Sequence, residues 1–145
     1  MGTRFLLYWI PLIVWLSGIF LVSSLPTDSF PQSKVMSTFA LHLTAFFVLF
    51  LLLYRLFRLN SKKQLSGGVL LYSFFLTLFI SFSKECWQLF FPTRSFSLND
   101  LLIDGGAALL GILAVSIISV CNQKRSLGHP LKGIDLIENL ESSDR

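Results

Sequence analysis

Apolar residues fall into four long runs separated by short polar stretches. Residues 5–25 carry no charge, and comparable runs occupy about 37–57, 69–91 and 101–121. A helix crosses a hydrocarbon core about 30 Å thick with about 20 residues, so each run is predicted to be a transmembrane helix. Pro11 and Gly18 interrupt the first, which a membrane helix tolerates when neighbouring groups re-satisfy its backbone. The stretch SSLPTDSFPQSK (23–34), with its two prolines, reads as a loop at the membrane surface. RLNSKKQLSGG follows the second run and FPTRSFSLND the third. The predicted fold is all-α, an integral membrane four-helix bundle over residues 5–121. A polar cytoplasmic tail, 122–145, breaks at Gly128-His129-Pro130, with one short amphipathic turn around Ile134, Ile137 and Leu140.

Arg4 and the small residues at Val22-Ser23-Ser24 also fit a cleaved signal. Secretory apolar cores are only about 7–15 residues long, so an uncleaved span is expected.

Composition agrees with lipid as the solvent. The chain is 53% apolar and 14% charged, against about 45–50% and about 25% for soluble domains. Its net charge of +4 is dispersed between apolar runs; without a basic stripe, no nucleic-acid partner is expected. The basic residues report topology instead. With four spans, nine of the twelve Lys and Arg fall on the side of the termini and middle loop, leaving Lys34, Lys84 and Arg94 on the other. By the positive-inside rule both termini are expected to be cytoplasmic, with the loops at 26–36 and 92–99 outside. Cys86 and Cys121 then lie on opposite sides, so no disulfide is expected, and their spacing is not that of a metal site.

Chemistry concentrates in residues 81–111, where Glu85, Gln88, Arg94, Asp100 and Asp104 break the apolar pattern. An ionisable residue within a span costs roughly 2.5–3.5 kcal/mol at the helix centre and usually faces the bundle interior. Glu85 lies roughly 24 Å along its helix from Val69 at about 1.5 Å per residue. Asp104 and His42 lie near the outer ends of their spans, so three helices are expected to bring ionisable groups to one outer-leaflet level. Ser73, Thr77, Ser81, Glu85 and Gln88 recur at helical spacing, as do Asp100, Asp104, Ala107 or Ala108, and Gly111. Both stripes are expected to face inward, the second letting a neighbouring helix approach closely. Lys84 is expected to lie off the stripe and snorkel to the outer surface. Arg94, in the connecting turn, can form a bidentate pair with a carboxylate or phosphate.

The pattern Glu85-x-x-Gln88, Pro92, Arg94, Asp100 and Gly106 to Gly111, with Ser23-Ser24-Leu25-Pro26 and His42 upstream, resembles the VanZ-like family of small four-helix bacterial membrane proteins. The resemblance covers roughly residues 5–120. Thr38-Phe39 stand where that family often has an Asp-Lys pair, Phe46 where a Tyr is common, and Asp104 where Asn is frequent. The last implies a more acidic site than the family pattern. The resemblance implies a multi-pass protein of the bacterial cytoplasmic membrane and an association with glycopeptide (teicoplanin) tolerance. Fold-level kinship carries function no further.

Three readings of the polar residues stand open. In the first, His42, Glu85, Gln88, Arg94, Asp100 and Asp104 bind an envelope lipid headgroup or lipid-linked cell-wall precursor. Arg94 and Lys84 would meet phosphate; Gln88 and the carboxylates would meet hydroxyls or amines. In the second, the protein is a membrane-embedded acid/base enzyme. His42 or Glu85 would be general base, Asp100 would orient it, and Arg94 would steady phosphate charge. In the third, the residues are structural glue between helices. One His among carboxylates matches no strong metal spacing, so neither metal nor cofactor is expected. Gly105-Gly106 lies within a span and forms no phosphate loop, and no Ser stands in a nucleophile-elbow context. His129 is expected to be inert, and Trp87 to be an interfacial aromatic.

Overall fold

The computed structural model describes residues 2–25, 35–59, 67–92 and 95–127. They form α1 (Gly2–Ser24), α2 (Val35–Arg58), α3 (Gly67–Gln88) and α4 (Leu98–Leu127), with no strand among them. All four helices are long and apolar enough to cross a membrane. Arg94, the loops at 26–34 and 60–66, and the tail from Gly128, including His129 and the turn expected around Ile134, lie outside the described residues. The chain divides into two compact units, Met1–Leu113 and Ala114–Arg145. In the second, α4 continues to Leu127 and Cys121 is exposed.

Two helix ends differ from the hydropathy pattern, each for a local reason. α3 stops at Gln88 because the next residues tighten into i→i−3 bonds: Leu89 N–H to Cys86 O, 3.2 Å, Phe90 N–H to Trp87 O, 3.2 Å, and Phe91 N–H to Gln88 O, 3.0 Å. Pro92 then disfavours helical geometry at Phe91. α4 starts at Leu98 because Ser97 caps it, its Oγ accepting the Asp100 N–H at 3.2 Å. Asp100 therefore belongs to the first turn of α4 and not to the loop before it.

The helices of the first unit alternate in direction. At one end Arg55 of α2 lies over the Tyr8 ring of α1, 4.7 Å from its centroid, and Phe57 meets Tyr72 edge-on, also at 4.7 Å. At the other end Trp87 Nε1 of α3 donates to Ser24 Oγ of α1, 3.0 Å, and His42 of α2 reaches Asp104 of α4. The core contains Leu12, Phe46, Leu49, Leu53 and Ala107. Trp15 Nε1 ties α1 to α2 by donating to the Ala45 carbonyl at 2.9 Å.

Large apolar side chains such as Leu7, Val14, Phe75, Phe79 and Leu102 point outward, whereas the buried residues of α3 are Ser73, Thr77, Ser81, Lys84, Glu85 and Gln88. That inversion suits a bundle whose outer solvent is lipid. Ser73 and Thr77 satisfy their hydroxyls on their own helix, donating at 2.8 Å to the carbonyls of Val69 and Ser73.

The small face of α4 allows α2 to come close. A Cβ on Gly111 would overlap the Phe50 ring, with Cε1 only 2.9 Å away, and Phe50 is itself fully buried. Overpacking of this kind costs about 1–3 kcal/mol. Gly111→Val is expected to lower the melting temperature of the detergent-purified protein, and Phe50→Ala in the same chain to restore part of it. Equal melting of Gly111→Val and wild type would show that α4 does not approach α2 this closely.

Candidate ligand-binding site

At the end of the bundle shared by the first turns of α2 and α4 and the last turns of α3, five ionisable side chains converge. Asp104, fully buried, sits on α4 one turn beyond Asp100. Its Oδ2 accepts from Ser81 Oγ at 2.6 Å and from Lys84 Nζ at 3.2 Å. Its Oδ1 lies 3.1 Å from His42 Nδ1. With Asp104 paired as a carboxylate to the Lys84 ammonium, the tautomer that fits the network carries its proton on Nδ1 and donates to Oδ1. Lys84 Nζ, 3.3 Å from the same nitrogen, is then its neighbour and not its donor. His42 Nε2 turns to Asp100, whose Oδ2 is 3.7 Å away.

Lys84 is the centre of the cluster. Only 2% of its side chain is exposed, and its Nζ lies 3.2 Å from Asp104 Oδ2 and 2.9 Å from Glu85 Oε1. The ring of Phe46 covers it, 5.2 Å from the ammonium. The contact with Glu85 is an ion pair between successive residues and is not aligned as a hydrogen bond, so Glu85 Oε1 has no hydrogen-bond donor among the described residues.

The other oxygen of Glu85 does a helix-capping task. In a capping box the acid at the third helical position reaches back to the N–H of the capping residue. Here Ser97 Oγ accepts from Asp100 N–H in the usual way, but Ser97 N–H donates across to Glu85 Oε2 of α3 at 2.9 Å. Asp100 is thereby released from its customary role. Its side chain is 27% exposed and that of His42 19%, so the open edge of the cluster is the Asp100–His42 edge.

The structure brings His42, Glu85, Asp100 and Asp104 together. Gln88 is buried at the same end, but its amide donates to Ser23 Oγ and is occupied between helices. Arg94 lies outside the described residues. Lys84 requires a correction: it does not snorkel outward but lies inside the cluster. It stands seven residues from Thr77, two turns along the same face, and Asp104 and Glu85 make its burial tolerable. It is therefore not free to meet a ligand phosphate. The extra acid at Asp104 is paired with Lys84 at 3.2 Å. Ser81 and Ser97 were not singled out as site residues from sequence; the S-x-x-D spacing of Ser97 and Asp100 was the available signal for the second.

Removing one partner of a buried ion pair costs about 3–5 kcal/mol, because the other charge is left uncompensated. Lys84→Met is expected to lower the melting temperature sharply. The double variant Lys84→Met, Asp104→Asn should recover a substantial part, since both charges go together. Additive losses in that cycle would mean the two side chains do not interact.

A family model described as VanZ/LLP1 matches residues 6–119 of the chain. No curated protein and no solved structure matches it. The match takes in three whole spans and most of the fourth, and with them every member of the cluster. With its four apolar helices, the chain is a multi-pass membrane protein that belongs to the VanZ/LLP1 family.

Proposed function

We propose that the cluster binds the polar headgroup of an envelope lipid or lipid-linked cell-wall precursor at the outer face of the bacterial cytoplasmic membrane. The observation that carries this is the joining of ionisable groups from three helices into one cluster with an open edge at Asp100 and His42. A purely structural pair would not require three carboxylates, since desolvated charge is a poor source of net stability. The outer location rests on the excess of Lys and Arg in the terminal and middle segments, and the alternating helices put the cluster at the end opposite Arg55. Sequestering or displacing a cell-wall precursor there would alter sensitivity to glycopeptides, the connection carried by the family resemblance.

A second reading rests on a specific feature, the Nδ1–Asp104 contact of His42. A histidine oriented by a carboxylate on one nitrogen can accept a proton on the other, which makes His42 Nε2 the candidate general base. In this reading Asp104, 3.1 Å from Nδ1, would hold the ring, and Asp100, expected from sequence to orient the base, would face it from the Nε2 side at 3.7 Å.

Lipids retained by the purified protein should differ from the bulk membrane extract by mass spectrometry, and His42→Ala should erase that difference. Retention indistinguishable from bulk lipid in the wild type would remove the binding reading. Conversion of the retained lipid to a new species on incubation would favour the enzyme. A fluorescent protein fused after Arg145 should fluoresce and an exported phosphatase fused there should be inactive; the reverse pattern would put the cluster on the cytoplasmic side.

A further inference from the structure

The cluster's unused hydrogen-bonding capacity identifies the chemistry of its ligand. Its donors are already committed. Lys84 faces Asp104 and Glu85, Ser81 donates to Asp104, His42 Nδ1 faces Asp104, the Gln88 amide donates to Ser23, and Ser97 N–H donates to Glu85. What remains are acceptors. Glu85 Oε1 is not among the free ones, since it is fully buried and ion-paired with Lys84 Nζ at 2.9 Å. The Asp100 carboxylate is partly open, and His42 Nε2 faces it at 3.7 Å, too long for a hydrogen bond. Ser97 bonds Glu85 through its N–H and Asp100 through its Oγ, and Lys84 Nζ lies within 3.3 Å of both Glu85 Oε1 and His42 Nδ1. The two open acceptors, on Asp100 and His42, therefore share one locality with the Lys84–Glu85 pair. In formal charge, Glu85, Asp100 and Asp104 outnumber Lys84 even when His42 is protonated.

Resting on the headgroup reading above, we infer that the site recognises a primary ammonium group, of the kind carried by an ethanolamine lipid. A primary ammonium brings a positive charge and N–H donors, matching the Asp100 carboxylate and His42 Nε2 at the open edge. A quaternary ammonium has the charge but no N–H to donate to Asp100 or His42 Nε2. A phosphate brings only acceptors to acceptors. Among the residues of the connecting turn, Arg94 is the cation that would serve an anionic ligand instead, so the test must separate the two.

The protein is reconstituted in nanodiscs containing equal amounts of phosphatidylethanolamine, its N-monomethyl, N-dimethyl and N-acetyl derivatives, phosphatidylcholine and phosphatidylglycerol, then re-purified and its bound lipids counted. Retention should fall stepwise as N–H donors are replaced by methyl groups, and N-acetylation should abolish it. Asp100→Asn should lower ethanolamine-lipid retention by about tenfold, the scale of losing one charged hydrogen bond. Equal retention of phosphatidylethanolamine and phosphatidylcholine overturns the inference. Preference for phosphatidylglycerol that disappears in Arg94→Ala also overturns it and leaves the headgroup reading standing. No enrichment of any lipid over the input overturns both. Should Asp100→Asn fail to fold, the methylation series on the wild type decides alone. Adding free phosphoethanolamine separates lipid from soluble amine: failure to displace the bound lipid at millimolar excess supports a membrane-borne ligand, whereas complete displacement overturns that part.

Discussion

The interaction on which the end of the bundle depends is the Lys84 ammonium held between Asp104 and Glu85. Each of these side chains is virtually inaccessible, and none could stay charged there alone, because stripping an ion of its water costs several kcal/mol per ion even after relaxation. Together they form a self-consistent set. Lys84 sets the charge balance, Ser81 and His42 complete the coordination of Asp104, and Asp104 in turn aligns the imidazole. α3 contributes the lysine and α4 the aspartate, so the pair that makes burial tolerable also cross-links two spans. With lipid tails as apolar as leucine, packing and polar contacts of this sort hold membrane helices together where hydrophobic burial does not.

Close packing supplies the other half of the arrangement. Ala107, Ala108 and Gly111 continue the face of α4 that begins with Asp100 and Asp104, so the helix presents carboxylates at its start and almost no side-chain bulk below them. Phe50 fills the space at Gly111, and Phe46 roofs the ammonium one turn earlier on α2. Phe46 stands where the family often has tyrosine. Phe46 lacks a tyrosine's hydroxyl but keeps an aromatic face toward the ammonium, which attracts a cation through its ring quadrupole.

Much of the architecture was legible in the sequence because membrane spans declare themselves by length and lack of charge. The inward faces of α3 and α4 were legible from helical spacing, and the structure buries both. Lys84 was misjudged through a preference for its neighbour Glu85 as the stripe member. At 100° per residue, position 84 falls back into line with Thr77, and both side chains belong to one broad polar face. Partner identity was the illegible part. Spacing cannot tell that Gln88 is spent on Ser23, or that Glu85 caps a helix other than its own, since both contacts join segments far apart in the chain. The α4 boundary was misplaced by hydropathy because its first turn is polar, whereas the Ser97 cap marks it.

The bond from Ser97 N–H to Glu85 Oε2 has a consequence for how this chain can vary. It spans twelve positions, and each partner is fixed at both ends: the acid by its place on α3, the serine by starting α4. The bond thus fixes where the connector must meet α4 relative to α3. Adding or deleting residues inside it would shift the start of α4 away from the acid that completes its first turn, and would carry the adjoining aspartate away from the imidazole. Length in this connector is therefore tied to chemistry.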